Sequence, residues 1–216
     1  MSSVIGANAI KVDGRTLRSE RTHKRIIDAV IQLVEEGNPH LRTAEIAERA
    51  EVSVRSIFQH FPDLEALYLS VADAQLRAIL ADLQPVQSEG PLDARVHGLV
   101  AERAKLSERI LPMRKLAARF EASSDAATAR ARFGRDVQRR RSEIAFKSEL
   151  ALLPESERKQ LLDAIQAATD TDAWALLRHH TKLEVAQAEQ VWRRLVLALV
   201  RDATGTIGKA ETQSAS

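Results

Sequence analysis

Residues Arg42–Phe61 read RTAEIAERAEVSVRSIFQHF, and the periodicity of this stretch decides the fold. The spacing predicts a short helix over Ala44–Ala50 capped by Thr43, with Ile46, Ala47 and Ala50 turned inward. A second short helix follows over Val54–His60, capped by Ser53, with Ile57 and Phe61 inward. Between them Glu51–Ser53 leaves room only for a tight turn. Small Ala47 and Ala50 let the two helices approach, and Val52 is a hydrophobic peg between them. That is the construction of a helix-turn-helix, whose second helix lies in the major groove of DNA. A plain helical hairpin inside a bundle would use the same pattern.

Upstream, Arg15, Arg18, Arg21, Lys24 and Arg25 cluster against Glu20 alone. A helix is expected to start near Arg18 and to carry Ile26, Ile27, Val30, Leu33 and Val34 on one face. Gly37 suits the residue just past its end, and Pro39 blocks continuation. Residues 1–17 are expected to form a flexible tail. Downstream, Pro62-Asp63 restarts a long helix on Leu64, Leu67, Tyr68, Val71, Leu76, Ile79 and Leu80. Gln84–Pro91, QPVQSEGP, is the clearest break in composition. It divides an expected DNA-binding domain with its connecting helix, 18–83 (motif 42–61), from a second domain, 84–208, and 209–216 is expected to be a flexible tail. In the second domain, helices are expected over Leu92–Glu108, from Pro112 to Phe120, over Asp125–Leu150, from Pro154 past Trp174, and over Leu183–Thr206.

Composition agrees with an all-α fold. The 216 residues include 34 alanines but only eight glycines and six prolines, few breakers among much of the best helix former. The absence of cysteine excludes disulfides, thiolate metal sites and thiol nucleophiles, and it suits a cytoplasmic address. The formal charge is only +2, so affinity for nucleic acid must come from local clustering. The longest apolar run, Leu195–Val200, is too short to cross a bilayer, and no signal peptide is read at the start. There is no Gly-rich phosphate loop, no G-x-S-x-G and no H-E-x-x-H, so neither an enzyme, a cofactor nor a metal site is expected. Adjacent His179 and His180 point to different faces and make a poor metal pair.

Ile46-Ala47, Ala50, Val52-Ser53, Ile57-Phe58, Phe61-Pro62 and Glu65-Ala66-Leu67, in this order and spacing, resemble the DNA-binding domain of TetR-family transcriptional regulators. The resemblance covers about Arg18 to Tyr68. It implies an N-terminal three-helix DNA-binding domain and a C-terminal helical bundle for ligand binding and dimerisation. On a recognition helix, Ser53, Val54, Arg55 and Ser56 would meet base edges, with Gln59 one turn on. Arg55 alone there can fork onto guanine O6 and N7, and Val54 can meet a thymine methyl. The family places Phe58, Gln59 and His60 against the sugar-phosphate backbone, and Thr43 at a helix start can offer its hydroxyl and N–H to phosphate. Three positions depart from the family pattern: Glu51 where the turn usually has glycine, Leu64 where lysine is common, and Val54 where a cation is common. The missing charge would fall to Arg15, Arg18 and Arg42, the first two on an arm able to enter the minor groove.

The last helix is apolar on more than one side, with Trp192, Leu195, Val196, Leu199 and Val200 in one stripe. A partner subunit is the economical cover, so a homodimer on a palindromic operator is expected. An effector pocket would lie between Leu92 and Leu177, with His97, Met113, Phe120, Phe133, Phe146 and Trp174 as candidate lining groups. The arginines of Arg130–Arg141 read chiefly as the wet face of a long helix, or as an attraction for an acidic effector. The reading is a repressor released from its operator by a small molecule. The alternatives are a helical protein-interaction module or ligand carrier that keeps the helix-turn-helix as scaffold.

Overall fold

The computed structural model describes residues 14–38, 41–121 and 124–214, and the side chains of these except 115, 117–121 and 206–214. The regular structure of the described residues is all helical, with no strand. None of these helices is long and apolar enough to cross a membrane, and no group of three or more described His, Asp or Glu residues could hold a metal ion. The chain packs as two units, one ending at Ala74 and the other starting at Gln75. The division therefore falls inside a helix, ahead of the composition break at Gln84.

The first unit holds α1 (Gly14–Glu35), α2 (Thr43–Arg49), α3 (Val54–His60) and the start of α4 (Leu64–Asp82). Helix α1 starts at Gly14, earlier than periodicity suggested, so Arg15 is helical rather than part of a loose tail; residues 1–13 lie outside the described residues. It ends as expected at Gly37, with φ of 89°. The Gly37 N–H donates to the Val34 carbonyl and the Asn38 N–H to the Leu33 carbonyl, the paired bonds of a Schellman cap. Arg42, not Thr43, precedes the first turn of α2, and its N–H donates to Glu45 Oε2 at 3.2 Å. Asp63 caps α4 by accepting from the Ala66 N–H at 2.7 Å. The apolar stripes of the four helices meet in one core: Ile26, Val30 and Val34; Ile46; Ile57 and Phe61; Leu67 and Val71.

The second unit continues with α5 (Leu92–Glu121), α6 (Asp125–Ala145), α7 (Lys147–Ala151), α8 (Glu155–Ala168), α9 (Thr171–Ala175) with a π-helical turn at Leu176–His180, and α10 (Val185–Ser214). Helix α5 is continuous where two helices were expected. Pro112 sits inside it and removes one backbone donor, a cost of about 3 kcal/mol. Tertiary ties straddle that point. Glu108 accepts from Trp174 Nε1 at 2.5 Å and Arg178 Nε at 2.9 Å, and Arg114 forks onto Asp172 at 2.8 and 3.0 Å. Conversely, the expected helix from Asp125 to Leu150 is interrupted at Phe146, where ψ of 24° leaves the helical region. Buried Arg95 caps the break, donating to the Ala145 carbonyl at 2.6 Å and to Glu149 at 2.8 Å. Helix α10 runs to Ser214, past the expected start of a flexible tail at 209.

Several expected roles change with the packing. Trp192, Val196 and Val200 are wholly enclosed by their own subunit, because α10 packs on both α5 and α8. They are core residues and cannot meet a partner. Of that stripe only Leu195 and Leu199 keep exposed surface. Trp174 and Phe146 are fully buried and Met113 nearly so, whereas His97 and Phe133 lie on the surface. The Phe120 side chain is outside the described residues. A cavity of about 460 Å³ in this unit instead lies against the end of α4, the 84–87 segment, one stripe of α5 and Arg141, and none of the five described candidates lines it. The other arginines of the Arg130–Arg141 run with exposed side chains, Arg132, Arg135 and Arg140, do face water.

The Trp174 and Trp192 rings meet at 4.6 Å between centroids, tilted by 57°. Removing one of two interlocked buried indoles leaves a cavity that surrounding helices cannot close. Trp192→Ala is expected to cost about 3–5 kcal/mol, seen in denaturant titration as loss of folded chain and not as dissociation of an intact fold.

Candidate nucleic-acid interface

The turn between α2 and α3 is built by the chain's local hydrogen bonding. The Glu51 N–H donates to the Glu48 carbonyl at 3.0 Å and the Val52 N–H to the Ala47 carbonyl at 2.9 Å. This is a second Schellman cap, with Glu51 as its left-handed residue at φ of 51°. A side chain in that region costs roughly 1–2 kcal/mol relative to glycine, so something must hold it. Arg25, from the middle of α1, does so. Its Nη2 donates to the Ala50 carbonyl and, at 2.9 Å, to the Glu51 carbonyl, and lies 3.5 Å from Glu51 Oε2. Arg49 forks onto Glu36 at 2.7 Å through both pairs of atoms, tying the end of α2 to the end of α1. That pairing holds the Glu36 carboxyl below the usual carboxylate range. Sequence reading counted Arg25 only as one more charge in a basic cluster and missed both ties. An arginine at helical spacing from an apolar stripe carries no mark of a contact 26 residues away.

Ser53 caps α3 through its hydroxyl, which accepts from the Ser56 N–H at 3.0 Å, as expected. One side of α3 is then committed to the core, with Ile57 1% exposed. The opposite side presents Val54, Arg55, Phe58 and Gln59 together, with Phe58 48% exposed. Ser56 and His60 sit between the two sides, half-buried. Arg55 is exposed and has no partner among the described residues. It is an uncommitted guanidinium beside exposed Val54 and one turn from exposed Phe58.

The flanking groups are arranged differently from expectation. Arg42 is exposed, but its Nε and Nη2 both donate to Glu45 Oε1, at 2.8 and 2.5 Å. Thr43 is half-buried at the first position of α2. Arg15 and Arg18 project from the first turns of a helix, with Arg18 Nε 3.5 Å from the Gly14 carbonyl, so neither belongs to an extended arm. At the far end of α3, His23 of α1 packs its ring 4.6 Å from Phe61 and 6.1 Å edge-on from His60. Burial, and then the neighbouring His60, hold the His23 pKa below its ordinary value. An uncharged His23 suits a seat against an aromatic ring.

Residues 26–71 match the sequence profile of bacterial regulatory proteins of the tetR family. A transcriptional regulator from Rhodococcus sp. Rha1 superposes with a TM-score of 0.64 at 18% identity, over 86% of this chain and 97% of that one. A tetR-family transcriptional regulator from Streptomyces coelicolor gives 0.58 at 17% identity, over 91% and 99%. At these identities the superpositions establish likeness of fold. No curated protein matches the sequence.

Arg25→Ala removes the donor that holds the left-handed turn and is expected to destabilise the first unit by about 1 kcal/mol, its half-exposed site moderating the loss. Glu51→Gly in the same background relieves the backbone and should recover a similar amount, about 1 kcal/mol. Equilibrium denaturation of the single and double variants measures both. A double variant no more stable than Arg25→Ala would separate the arginine from the turn.

Proposed function

We propose that this chain, whose residues 26–71 match the tetR-family profile, is a TetR-family DNA-binding transcriptional regulator with α3 as its recognition helix and Arg55 as its principal base reader. The observation that carries this is the division of α3: Ile57 is buried, while Val54, Arg55, Phe58 and Gln59 share the outward side with Arg55 unpaired. A guanidinium free of carboxylates can fork onto guanine O6 and N7, and Val54 beside it can meet a thymine methyl. Phe58, Gln59 and His60 lie further along the helix, where contacts to sugar and phosphate set register without reading sequence. Ser53 can donate its hydroxyl proton while its oxygen caps the helix, and Thr43 at the start of α2 faces phosphate with Ser56 as a minor contributor. Arg42 contributes only if phosphate displaces Glu45. Arg15 and Arg18 act from a helical surface, with weaker, salt-sensitive attraction.

The regulator works as a homodimer on a palindromic operator. Exposed Leu195 and partly buried Leu199 are the apolar groups of the expected interface stripe on α10 that keep surface, and they would form its centre. A small-molecule effector bound in the second unit would favour the conformation in which the paired recognition helices no longer match successive major grooves. The shift in DNA affinity is limited by the difference in effector affinity between the two conformations. Repression relieved by the effector is the resulting mode of control.

A mobility shift with DNA flanking the protein's own gene tests the reading: binding should be sequence-selective and weaken with salt. Arg55→Ala should lose about 1–3 kcal/mol of discrimination at one base pair in each half-site. An unchanged operator preference assigns base reading elsewhere. Joint replacement Leu195→Asp and Leu199→Asp should shift the sedimenting species from dimer to monomer with helicity intact, and a persistent dimer moves the interface away from this face of α10.

A further inference from the structure

The 460 Å³ cavity of the second unit has a wall of definite chemistry. Ile79 and Leu83 at the end of α4, Val86 beyond it, and Leu99 and Leu106 of α5 make most of it apolar. Four cations and two carboxylates also face it: Arg95, Lys105, Arg109 and Arg141 against Asp82 and Glu102. Three of the cations are already neutralised. Arg95 is paired with Glu149, Arg109 with Asp82 at 2.6 Å, and Arg141 with Glu102. Lys105 is exposed and has no partner among the described residues. The cavity therefore carries one unmatched positive charge at the edge of an apolar wall.

Gly98 points to the same use. It sits inside α5, where glycine weakens a helix and is normally kept for close approach of another chain segment. No such approach exists here. A Cβ at Gly98 would meet nothing closer than Gln87 Oε1 at 3.9 Å, an ordinary contact. Packing does not call for glycine at this position, and the space its missing side chain leaves is part of the cavity.

We propose that this cavity binds an amphipathic monoanion, a single carboxylate held by Lys105 with its apolar body laid over Gly98 and Leu99. One unmatched charge selects a monoanion, because a dianion would face Asp82 and Glu102 with only half its charge balanced. The apolar wall selects a hydrocarbon body over a sugar or nucleotide. The inference gives a chemical class to the effector proposed above and rests on that reading for its consequence at the operator.

Calorimetry on the full chain with decanoate, decanol and decylamine tests it. Decanoate should bind, decanol about tenfold or more weakly than decanoate, and decylamine more weakly still. Lys105→Met should bring decanoate down to the level of decanol. Gly98→Leu, with its fold checked by circular dichroism, should lose both; if that variant does not fold, Lys105→Met still decides. Equal binding of decanoate and decanol, undiminished decanoate binding by either folded variant, or no heat from any of the three overturns the proposal. Operator affinity measured in the same mixtures keeps the two readings apart. Decanoate that binds in this way without changing operator affinity supports the site and removes its effector role. Release by decanol without preference for decanoate overturns the monoanion and leaves the effector role standing.

Discussion

A single guanidinium holds the turn on which the proposed DNA recognition depends. Arg25 reaches from α1 to the carbonyls of Ala50 and Glu51 and so fixes the turn that aims α3. Those carbonyls follow the end of a helix only seven residues long, too short to persist without tertiary support. The turn also demands a left-handed backbone at Glu51, which an L side chain resists. Cation, carbonyls and carboxylate offset that resistance together. Without this contact the core and the Arg49–Glu36 pair would still join these helices, but the left-handed turn would lose the donor that holds it.

The second unit meets a different constraint, the cost of burying charge among long helices. Arg103 is 2% exposed and forms no ion pair among the described residues. It donates to the Thr169 hydroxyl and, at 2.7 Å, to the Gln138 carbonyl and the Ser142 hydroxyl. Burial lowers its pKa to about 10, which leaves it protonated at neutral pH. Its partners lie on α6 and just past the end of α8, so one side chain of α5 ties three helices. Arg95 ties α5 to the break between α6 and α7 in the same manner, with Glu149 as counter-charge. Such groups add little net stability, since desolvation offsets most of the attraction. They favour the helix faces on which their donors meet these acceptors, although the buried Arg103 Nε has no hydrogen-bond partner among the described residues.

Pattern reading succeeded where the cause was local. Gly37 ends α1, Ser53 caps α3, and the inward residues of the helix-turn-helix follow from spacing alone. It went astray where a distant segment decided the outcome. Pro112 looked like a stop, yet the ties of Glu108 to Trp174 and Arg178, and of Arg114 to Asp172, carry the helix through it. The stripe on α10 looked like a surface awaiting a second subunit, because sequence does not show that α5 and α8 lie on either side of it. The described aromatic residues singled out for a pocket were either core, as with Phe146 and Trp174, or surface, as with Phe133. The cavity is lined instead by aliphatic and paired charged groups without a distinctive spacing.

The amino-acid order by itself determined the all-helical class, the three-helix motif near the start and the identity of its outward residues. Caps, turn residues and helical periodicity act over a few neighbouring positions and are visible in a string. Only the tertiary structure decided which cations are spent inside the protein and which are left for a partner. Arg25, Arg42 and Arg141 are engaged by groups of their own chain, whereas Arg55 and Lys105 have none among the described residues. All five read alike as basic residues, and the difference lies in whether an acceptor falls within hydrogen-bonding reach in the folded chain.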